Sequence, residues 1–263
     1  MLHFVIPEGA LMAAVPGEAA YTAVLTGKDF HYLAHVRRLG PGDSIPASTA
    51  DGCRFAMTVR ERCRDRLSVA LRPLADEGRD APPLSALTLA QAVVKPAAMD
   101  LIVRQATELG VAGVVPVVTE RSVPAAHAHP RQPRWERIPR SASQQSGRWP
   151  LPAIETPRRL PEVLQSVPAA AARLVFHPPA PGDVDVALPE TLDPAVPAWL
   201  LLGPEGGFSA TELDRIDGAG FRRCALGATV LRAETAVVAA IMAVRLLRHR
   251  ARRPAQEARG GAR

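Results

Sequence analysis

The first part of the chain contains short runs in which apolar and polar residues alternate. Phe55, Met57 and Val59 would share one face of an extended segment, so the pattern predicts a half-buried strand over 53–59. Similar runs predict further strands over 2–6, 21–25 and 67–71. A small β-barrel over residues 1–73 is the simplest arrangement that buries one face of all these strands.

A helix is predicted between these strands, from Asp29 to Leu39, with the Asp29 side chain as its N-cap. The turn Gly-Pro-Gly-Asp at 40–43 follows it. Arg37 and Arg38 would lie at the end of this helix, where a positive charge stabilises the helix dipole. Further arginines in the same lobe exceed what helix capping requires, which favours a negatively charged partner.

The pattern changes after a charged, proline-containing segment over 74–84, which we interpret as a linker. An apolar run over 87–93 is followed by a helical pattern over 98–109, which Gly110 ends, and then by apolar 114–118. This β-α-β order predicts a second domain over 85–250, with a parallel sheet covered by helices. A helix over 134–147 and scaffold elements over 150–197 follow.

A glycine-bearing turn follows the apolar run Trp199–Leu202, which is typical of a buried parallel strand and stops at Gly203. Gly206 and Gly207 lack a Cβ, so their backbone can approach a ligand closely. Ser209 and Glu212 have the spacing of a capping box, which predicts a helix start directly after this first glycine turn.

A second turn repeats the plan: a short strand over 223–226, then Gly227-Ala228-Thr229, then a long apolar helix that Glu234 opens. One such turn is typical of an ordinary strand-to-helix connection. Two at the carboxyl ends of neighbouring strands predict the crevice in which open α/β sheets bind ligands.

The last helix, over 234–249, is apolar on nearly all sides. This pattern indicates burial on several sides, either at a subunit interface or deep within one protomer. The basic segment over 251–263 is rich in Gly, Ala and Arg and is predicted to be a disordered tail.

Composition indicates a globular chain, because 47% of its 263 residues are hydrophobic. No uncharged apolar run is long enough for a membrane span, and the N-terminus lacks the features of a signal peptide, so a soluble cytoplasmic protein is expected. The three cysteines are widely spaced, and His127 and His129 lie in a loop without nearby carboxylates or thiolates. We expect neither disulfides nor a metal site.

The net charge of +6 and the excess of arginine over lysine favour a polyanionic partner such as nucleic acid. The bias of a GC-rich genome produces a similar composition, so the charge alone does not identify the partner.

The two glycine turns, GPEGGFS at 203–209 and LGATVLRAETA at 226–236, resemble motifs of the ribosomal small-subunit rRNA uracil-N3 methyltransferases, which belong to the SPOUT class. The similarity continues in family order through four upstream segments. These are HYLAHVRRLGPGD (31–43), KPAAMDLIVRQATELGV (95–111), ERSV (120–123), and RWERI with QQSGR (134–148). Gln105 and the segment 96–98 depart from the family's lysine and glycine-acidic pattern.

The resemblance implies an N-terminal PUA-like RNA-binding β-barrel followed by an α/β trefoil-knot domain that acts as a homodimer. It also implies that S-adenosylmethionine is the methyl donor and 16S rRNA of the small ribosomal subunit the substrate. The implied cofactor-binding residues lie on the two glycine turns: Leu202, Gly203, Pro204, Gly206, Leu226, Gly227 and Leu231.

Five residues are candidates for RNA contact: Arg37, Arg38, Arg121, Gln145 and Arg148. Gln145 and Arg148 fall on the family's pattern near the end of the 134–147 helix, where contact with the nucleotide or with a partner subunit is expected. A polar cluster at a helix end is also typical of a frayed, solvated terminus.

Methylation at uracil N3 requires loss of the N3 proton, after which negative charge spreads over the two flanking oxygens. Arg232 is the candidate that would stabilise this charge. Its structural alternative is an ion pair with Glu205 or Glu234. Either carboxylate is also a candidate base for the N3 proton if burial raises its pKa, and the sequence does not choose between them.

Two other functions fit the same residues. One is a SPOUT methyltransferase that acts on a different RNA or base, and the other is a ribosome assembly factor that binds RNA without catalysis. The intact glycine turns oppose the second, because a cofactor pocket released from catalysis is expected to lose its glycines.

Overall fold

The computed structural model describes residues 3–7, 10–14, 21–50, 53–74, 84–124, 128–178 and 187–260. The chain divides into two units. One contains Met1–Ala81 together with Arg140–Leu151, and the other contains Pro82–Pro139 and Pro152–Arg263. Most of the linker predicted over 74–84 lies outside the described residues.

The first unit is built on a six-stranded sheet with the order β1-β4-β5-β6-β3-β2. Its strands are β1 (Phe4–Val5), β2 (Leu11–Ala14), β3 (Tyr21–Thr26), β4 (Ser44–Ser48), β5 (Arg54–Arg62) and β6 (Arg66–Pro73). All neighbours are antiparallel except β1 and β4, which run parallel. The predicted alternation in β5 is confirmed, since Phe55, Met57 and Val59 are buried in the core of this unit. The sequence pattern missed β2 and β4.

Helix α1 (Gly27–Phe30) follows β3 and continues as a π-helical segment, His31–Val36. Arg37 and Arg38 lie at its end, as predicted, and Arg38 has φ = 59°, a left-handed conformation that commonly ends helices. The capping role predicted for Asp29 is wrong: the N-cap is Thr26, and Asp29 lies inside α1. Asp29 instead accepts a 2.7 Å hydrogen bond from the guanidinium of Arg140.

Residues 140–151 pack in the first unit, although the sequence pattern placed them in the second domain. Arg140 donates to the Val5 carbonyl as well as to Asp29. The Trp149 ring stacks on His3, with centroids 5.4 Å apart, and the Arg54 guanidinium lies 4.4 Å from the Trp149 ring centroid. These contacts over long sequence separations hold the segment on the first unit, and no local periodicity reports them.

The second unit contains a seven-stranded sheet whose neighbours are all parallel, in the order β10-β8-β7-β12-β11-β13, with β9 also on β8. The strands are β7 (Leu84–Ala92), β8 (Val111–Val118), β9 (Ala153–Ile154), β10 (Arg158–Arg159), β11 (Ala172–Phe176), β12 (Ala198–Leu202) and β13 (Arg222–Cys224). The predicted parallel sheet is confirmed. All five residues of β12 are buried, as expected for a strand covered on both faces.

Helices cover both faces of this sheet. The helices of this unit are α2 (Pro96–Glu108), α3 (Gln132–Trp135), α5 (Leu160–Ser166), α6 (Ala210–Gly218) and α7 (Ala233–Gly260), whereas α4 (Ile138–Ser146) belongs mostly to the first unit. Residues of α2 and α7 share one apolar core with Leu200 and Leu202 of β12. Residues of α5 and α6 share another with Leu201 on the opposite face. The helix predicted over 134–147 is divided into α3 and α4.

Helix α7 extends to Gly260, through most of the segment predicted as a disordered tail. Most residues of this extension are Ala, Arg, Gln and Glu, which are strong helix formers, whereas Pro254 has no N–H to donate and is the one unfavourable residue in its interior. Val237, Ile241 and Val244 of α7 are buried, whereas Met242 and Leu246 are 38% and 58% exposed. Within the described residues, no helix combines the length and apolar character needed to cross a membrane.

Val69→Ala and Val24→Ala form a matched pair that tests the core of the first unit. Val69 on β6 is 0% exposed, whereas Val24 on the neighbouring β3 is 40% exposed. Both changes lose the same β-propensity, but only the first creates a cavity. We expect Val69→Ala to lower the free energy of unfolding by about 2 kcal/mol and Val24→Ala by less than about half of that, measured by urea denaturation. Equal losses would contradict the described orientation of these strands.

Candidate functional site

A cleft that is partly open to solvent lies at the carboxyl ends of β11, β12 and β13. The sequence predicted that the strands before the two glycine turns are neighbours, and this is wrong: β11 lies between β12 and β13. The end of β11 therefore contributes Phe176, His177 and Pro178 to the wall of the cleft, and these residues were missed. His177 directly follows a strand whose last three residues are buried, and this position is the sequence signal that could have identified it.

The first glycine turn is a closed loop, in which the Gly207 N–H donates to the Pro204 carbonyl at 2.9 Å. Gly207 has φ = 67°, and a Cβ added there would lie 3.3 Å from Cε1 of His177. A side chain at this position would thus be strained and would crowd the cleft wall. Ser209 and Glu212 form the predicted capping box at the start of α6.

The second glycine turn runs from Leu226 to Leu231 and leads into α7. Gly227 has φ = 130°, and Val230 is 76% exposed at the turn. The first turn of α7 adds Ala233 and Ala236 to the cleft wall. Small side chains at a helix N-terminus leave room for a ligand close to its positive dipole end.

Six of the seven predicted cofactor residues line this cleft: Leu202, Gly203, Pro204, Leu226, Gly227 and Leu231. The seventh, Gly206, is not part of the lining, and its neighbour Gly207 takes that place. Gly206 faces away toward Arg121, because a Cβ added to it would lie 3.4 Å from Cβ and Cδ of that arginine. Contact of the six residues with a ligand stays a prediction.

The three predicted catalytic residues differ in their relation to the cleft: Arg232 and Glu234 are not among its lining residues, although their neighbours Leu231 and Ala233 are. Glu205 lines it and is exposed, whereas Arg232 is exposed at the start of α7 and Glu234 is half-buried in its first turn. Within the described part of the chain, no ion pair joins Arg232 to Glu205 or Glu234. The ion pair that was the structural alternative for Arg232 is therefore not observed, and the residue is exposed to solvent. Its catalytic role, like those of the two carboxylates, stays a prediction.

Buried polar side chains support the first glycine turn from behind. Gln91 at the end of β7 is fully buried, and its Nε2 donates to the carbonyls of Ala92 at 2.9 Å and Gly203 at 3.3 Å. Glu212 is 3% exposed and accepts the N–H groups of Ser209 and Glu120. The capping-box spacing reveals the first of these Glu212 contacts, but the second comes from a residue far away in sequence.

The candidate RNA-contact residues fall in both units. Arg37, Arg38 and Gln145 are exposed on the first unit, where Arg148 is half-buried and its carbonyl accepts a hydrogen bond from the Ser143 hydroxyl. Arg121 belongs to the second unit, and its Nη1 donates to the Gly206 carbonyl at 2.8 Å. RNA contact by these five residues stays a prediction.

Cys224 is buried in the apolar core that contains Leu200 and Leu202. Burial raises the pKa of its thiol to about 11, and the nearby charge of Arg222 offsets this only in part. A thiol with this pKa stays protonated and unreactive near neutral pH. His127 lies outside the described residues, and among the residues that are described no group of three or more metal-ligating side chains occurs.

Comparison with known proteins identifies the family. Residues 81–245 match the model of the RNA methyltransferase domain. A ribosomal RNA small subunit methyltransferase E from Mycobacterium bovis is 32% identical over 87% of this chain and 87% of its own length. The crystal structure of the enzyme of that name from Neisseria gonorrhoeae, bound to S-adenosyl methionine, superposes with a TM-score of 0.80 at 27% identity, covering 94% of this chain and 98% of that one.

A putative methyltransferase from Legionella pneumophila, solved in complex with the cofactor SAM, superposes with a TM-score of 0.73 at 25% identity, covering 93% of this chain and 97% of that chain. The similarity thus extends over both units and is not confined to the glycine turns. The chain belongs to the RNA methyltransferase domain family and, within it, to the ribosomal RNA small subunit methyltransferase E family.

Proposed function

We propose that this protein transfers the methyl group of S-adenosylmethionine to N3 of a uracil in 16S rRNA of the small ribosomal subunit. The observation that carries the proposal is the cleft formed by the two glycine turns, in a chain similar over nearly its whole length to a small-subunit methyltransferase solved with S-adenosyl methionine bound. Only the second unit is required for this cleft, since all of its lining residues belong there.

The cleft fits such a cofactor. Its walls combine the apolar side chains of Phe176, Leu202 and Leu226 with the backbone of two glycine turns, an arrangement suited to an adenosine held by main-chain hydrogen bonds. The absence of a Cβ at Gly207 keeps this space open. When bound, the cofactor supplies an electrophilic methyl group on a sulfonium, so no metal is needed for activation.

The protein must bring uracil N3 into line with this methyl group and favour loss of the N3 proton. We assign Arg232 to the flanking uracil oxygens, because its guanidinium is exposed and unpaired at the start of α7. It would stabilise the deprotonated base more than the neutral one. Glu205, on the cleft wall, and Glu234 are the candidate acceptors of the proton. The methyl then forms a bond to N3 as its bond to sulfur breaks.

The first unit is proposed to bind RNA as a PUA-like barrel, a role supported by its six-stranded sheet around one apolar core. Its exposed Arg37 and Arg38, with Gln145 and Arg148, are the candidate contacts. Phosphate contacts of this kind position a substrate without reading its sequence. For the second unit we propose the trefoil knot of the SPOUT class, supported by its all-parallel sheet and by the two turns that meet at one cleft.

We further propose that the protein works in the cytoplasm, where its rRNA substrate would be found, and that it acts without a metal. A homodimer is supported by Met242 and Leu246, which lie one turn apart on α7 and expose apolar side chains.

The first test is transfer of labelled methyl from S-adenosylmethionine to unmodified small ribosomal subunits, followed by nucleoside analysis. We expect 3-methyluridine with the unchanged protein. Arg232→Ala should lower the rate at least about a hundredfold, roughly 2.7 kcal/mol of barrier, because the charge on the uracil oxygens loses its partner.

Arg215→Ala is the matched control, since Arg215 is an exposed arginine on α6 outside the cleft lining. It should keep the unchanged rate. A different methylated nucleoside would point to another target base, and transfer only to another RNA would replace the substrate. Binding to subunits without any transfer would favour an assembly factor.

Gly207→Ala should weaken S-adenosylmethionine binding. The left-handed conformation at Gly207 and the approach to His177 oppose a Cβ, at a cost of about 1–2 kcal/mol, so the dissociation constant should rise about tenfold or more by calorimetry. Gly218→Ala adds the same methyl where nothing lies within 4 Å and should leave binding unchanged. Equal affinities of the two variants would remove the first glycine turn from the cofactor site.

Leu246→Glu tests the proposed dimer. A carboxylate in an apolar interface has no partner and loses its hydration, so the variant should be monomeric by light scattering at micromolar concentration. Val36→Glu, at an apolar position of the first unit with 59% exposure, is the control and should stay dimeric. A monomeric mass for the unchanged protein would refute the proposed dimer directly.

A further inference from the structure

The segment that connects β8 to the rest of the second unit is a tightly bonded turn. The Thr119 N–H donates to the Ser122 hydroxyl at 2.9 Å, and this hydroxyl donates to the Thr119 carbonyl at 3.0 Å. The Val123 N–H donates to the carbonyl of Val93, beyond the end of β7. Residues 119–122, which we call the β8 turn, are therefore closed by internal hydrogen bonds, and the residue that follows them is bonded to the backbone beyond β7.

Glu212 joins the β8 turn to the helix that follows the first glycine turn. One carboxylate oxygen accepts the Ser209 N–H at 3.0 Å, which a capping box already requires. The other oxygen accepts the Glu120 N–H at 2.9 Å. Glu212 is 3% exposed, so both of these hydrogen bonds are shielded from solvent. The residue before Arg121 is thus fixed relative to α6.

From this support Arg121 reaches the first glycine turn. Its aliphatic part packs against the Cα of Gly206, and its Nη1 donates to the Gly206 carbonyl at 2.8 Å. This carbonyl belongs to the same planar peptide unit as the Gly207 N–H, which donates to the Pro204 carbonyl. Both polar groups of the Gly206–Gly207 peptide therefore have a partner.

A peptide between two glycines has the widest conformational freedom in a chain, because neither neighbour has a Cβ. Rotation of this peptide would move Gly207, which lines the cleft. A ligand held by main-chain groups then binds only the fraction of molecules with the peptide correctly oriented.

We propose that Arg121 is a positioning residue for the cofactor site. It extends from the β8 turn, which the Glu212 carboxylate holds through the Glu120 N–H, and it fixes the Gly206–Gly207 peptide in its binding orientation. The inference rests on the proposed function, in which this cleft binds S-adenosylmethionine. It assigns Arg121 to the cofactor turn in place of the predicted RNA contact.

The test measures S-adenosylmethionine binding by calorimetry with the full-length protein and no RNA. Arg121→Ala should raise the dissociation constant about tenfold, while Arg121→Lys, which retains a charged donor, should recover part of the affinity. Arg104→Ala, which removes an exposed arginine from α2, should bind as the unchanged protein does. Thermal unfolding of each variant verifies that the fold is intact.

Two further measurements separate positioning from RNA contact. The affinity for small ribosomal subunits, measured without cofactor, should be the same in Arg121→Ala and in the unchanged protein. In the methyl-transfer assay, the kcat of Arg121→Ala at saturating S-adenosylmethionine should stay within about threefold of the unchanged protein, while the KM for S-adenosylmethionine rises. Normal cofactor affinity with weakened subunit binding would overturn the inference and restore the RNA role. Failure of the unchanged protein to bind S-adenosylmethionine would overturn the proposed function as well, so the two failures are distinguishable.

Discussion

The site depends on the parallel pairing of β12 between β7 and β11, in a sheet that is covered on both faces. The register aligns Leu202 of β12 with Phe176 of β11 and with Gln91 of β7, so three strands end at the same level. The apolar side chains of β12 alternate between two cores, which resists a one-residue slip because every side chain would change face. The loops that leave β11 and β12 thereby meet at one cleft, while β7 supports them through Gln91.

Polar side chains buried near this edge of the sheet hold the first glycine turn and the β8 turn in position. Gln91 and Glu212 lie among apolar neighbours, where an unsatisfied donor or acceptor is costly. Their hydrogen bonds go to backbone groups of the first glycine turn, of α6 and of the β8 turn. A displaced glycine turn would break the hydrogen bonds of Gln91 with Gly203 and of Glu212 with Ser209, so buried side chains beneath the turn contribute to the energy that opposes such a displacement.

The sequence predicted well what local patterns encode. The alternation in β5, the capping box at Ser209 and the strand-turn-helix plan of both glycine turns are all found in the structure. It failed where the answer depends on distant partners. β11 lies between β12 and β13, and a one-dimensional pattern of apolar runs carries no information about strand order. Residues 140–151 join the first unit through contacts to Val5, Asp29 and Arg54, which no periodicity of the helix itself can report.

The charge of Arg121 illustrates the same limit at the site. An arginine in a basic chain is readily interpreted as a phosphate contact, and its neighbours in the sequence do not show which distant group it contacts. In the structure its guanidinium donates to the backbone of a glycine turn that is 85 residues away in sequence. A ligand cleft lined by glycines needs close approach of the backbone and also a single backbone conformation. Glycine provides the first and works against the second, so the restraint must come from side chains elsewhere in the fold.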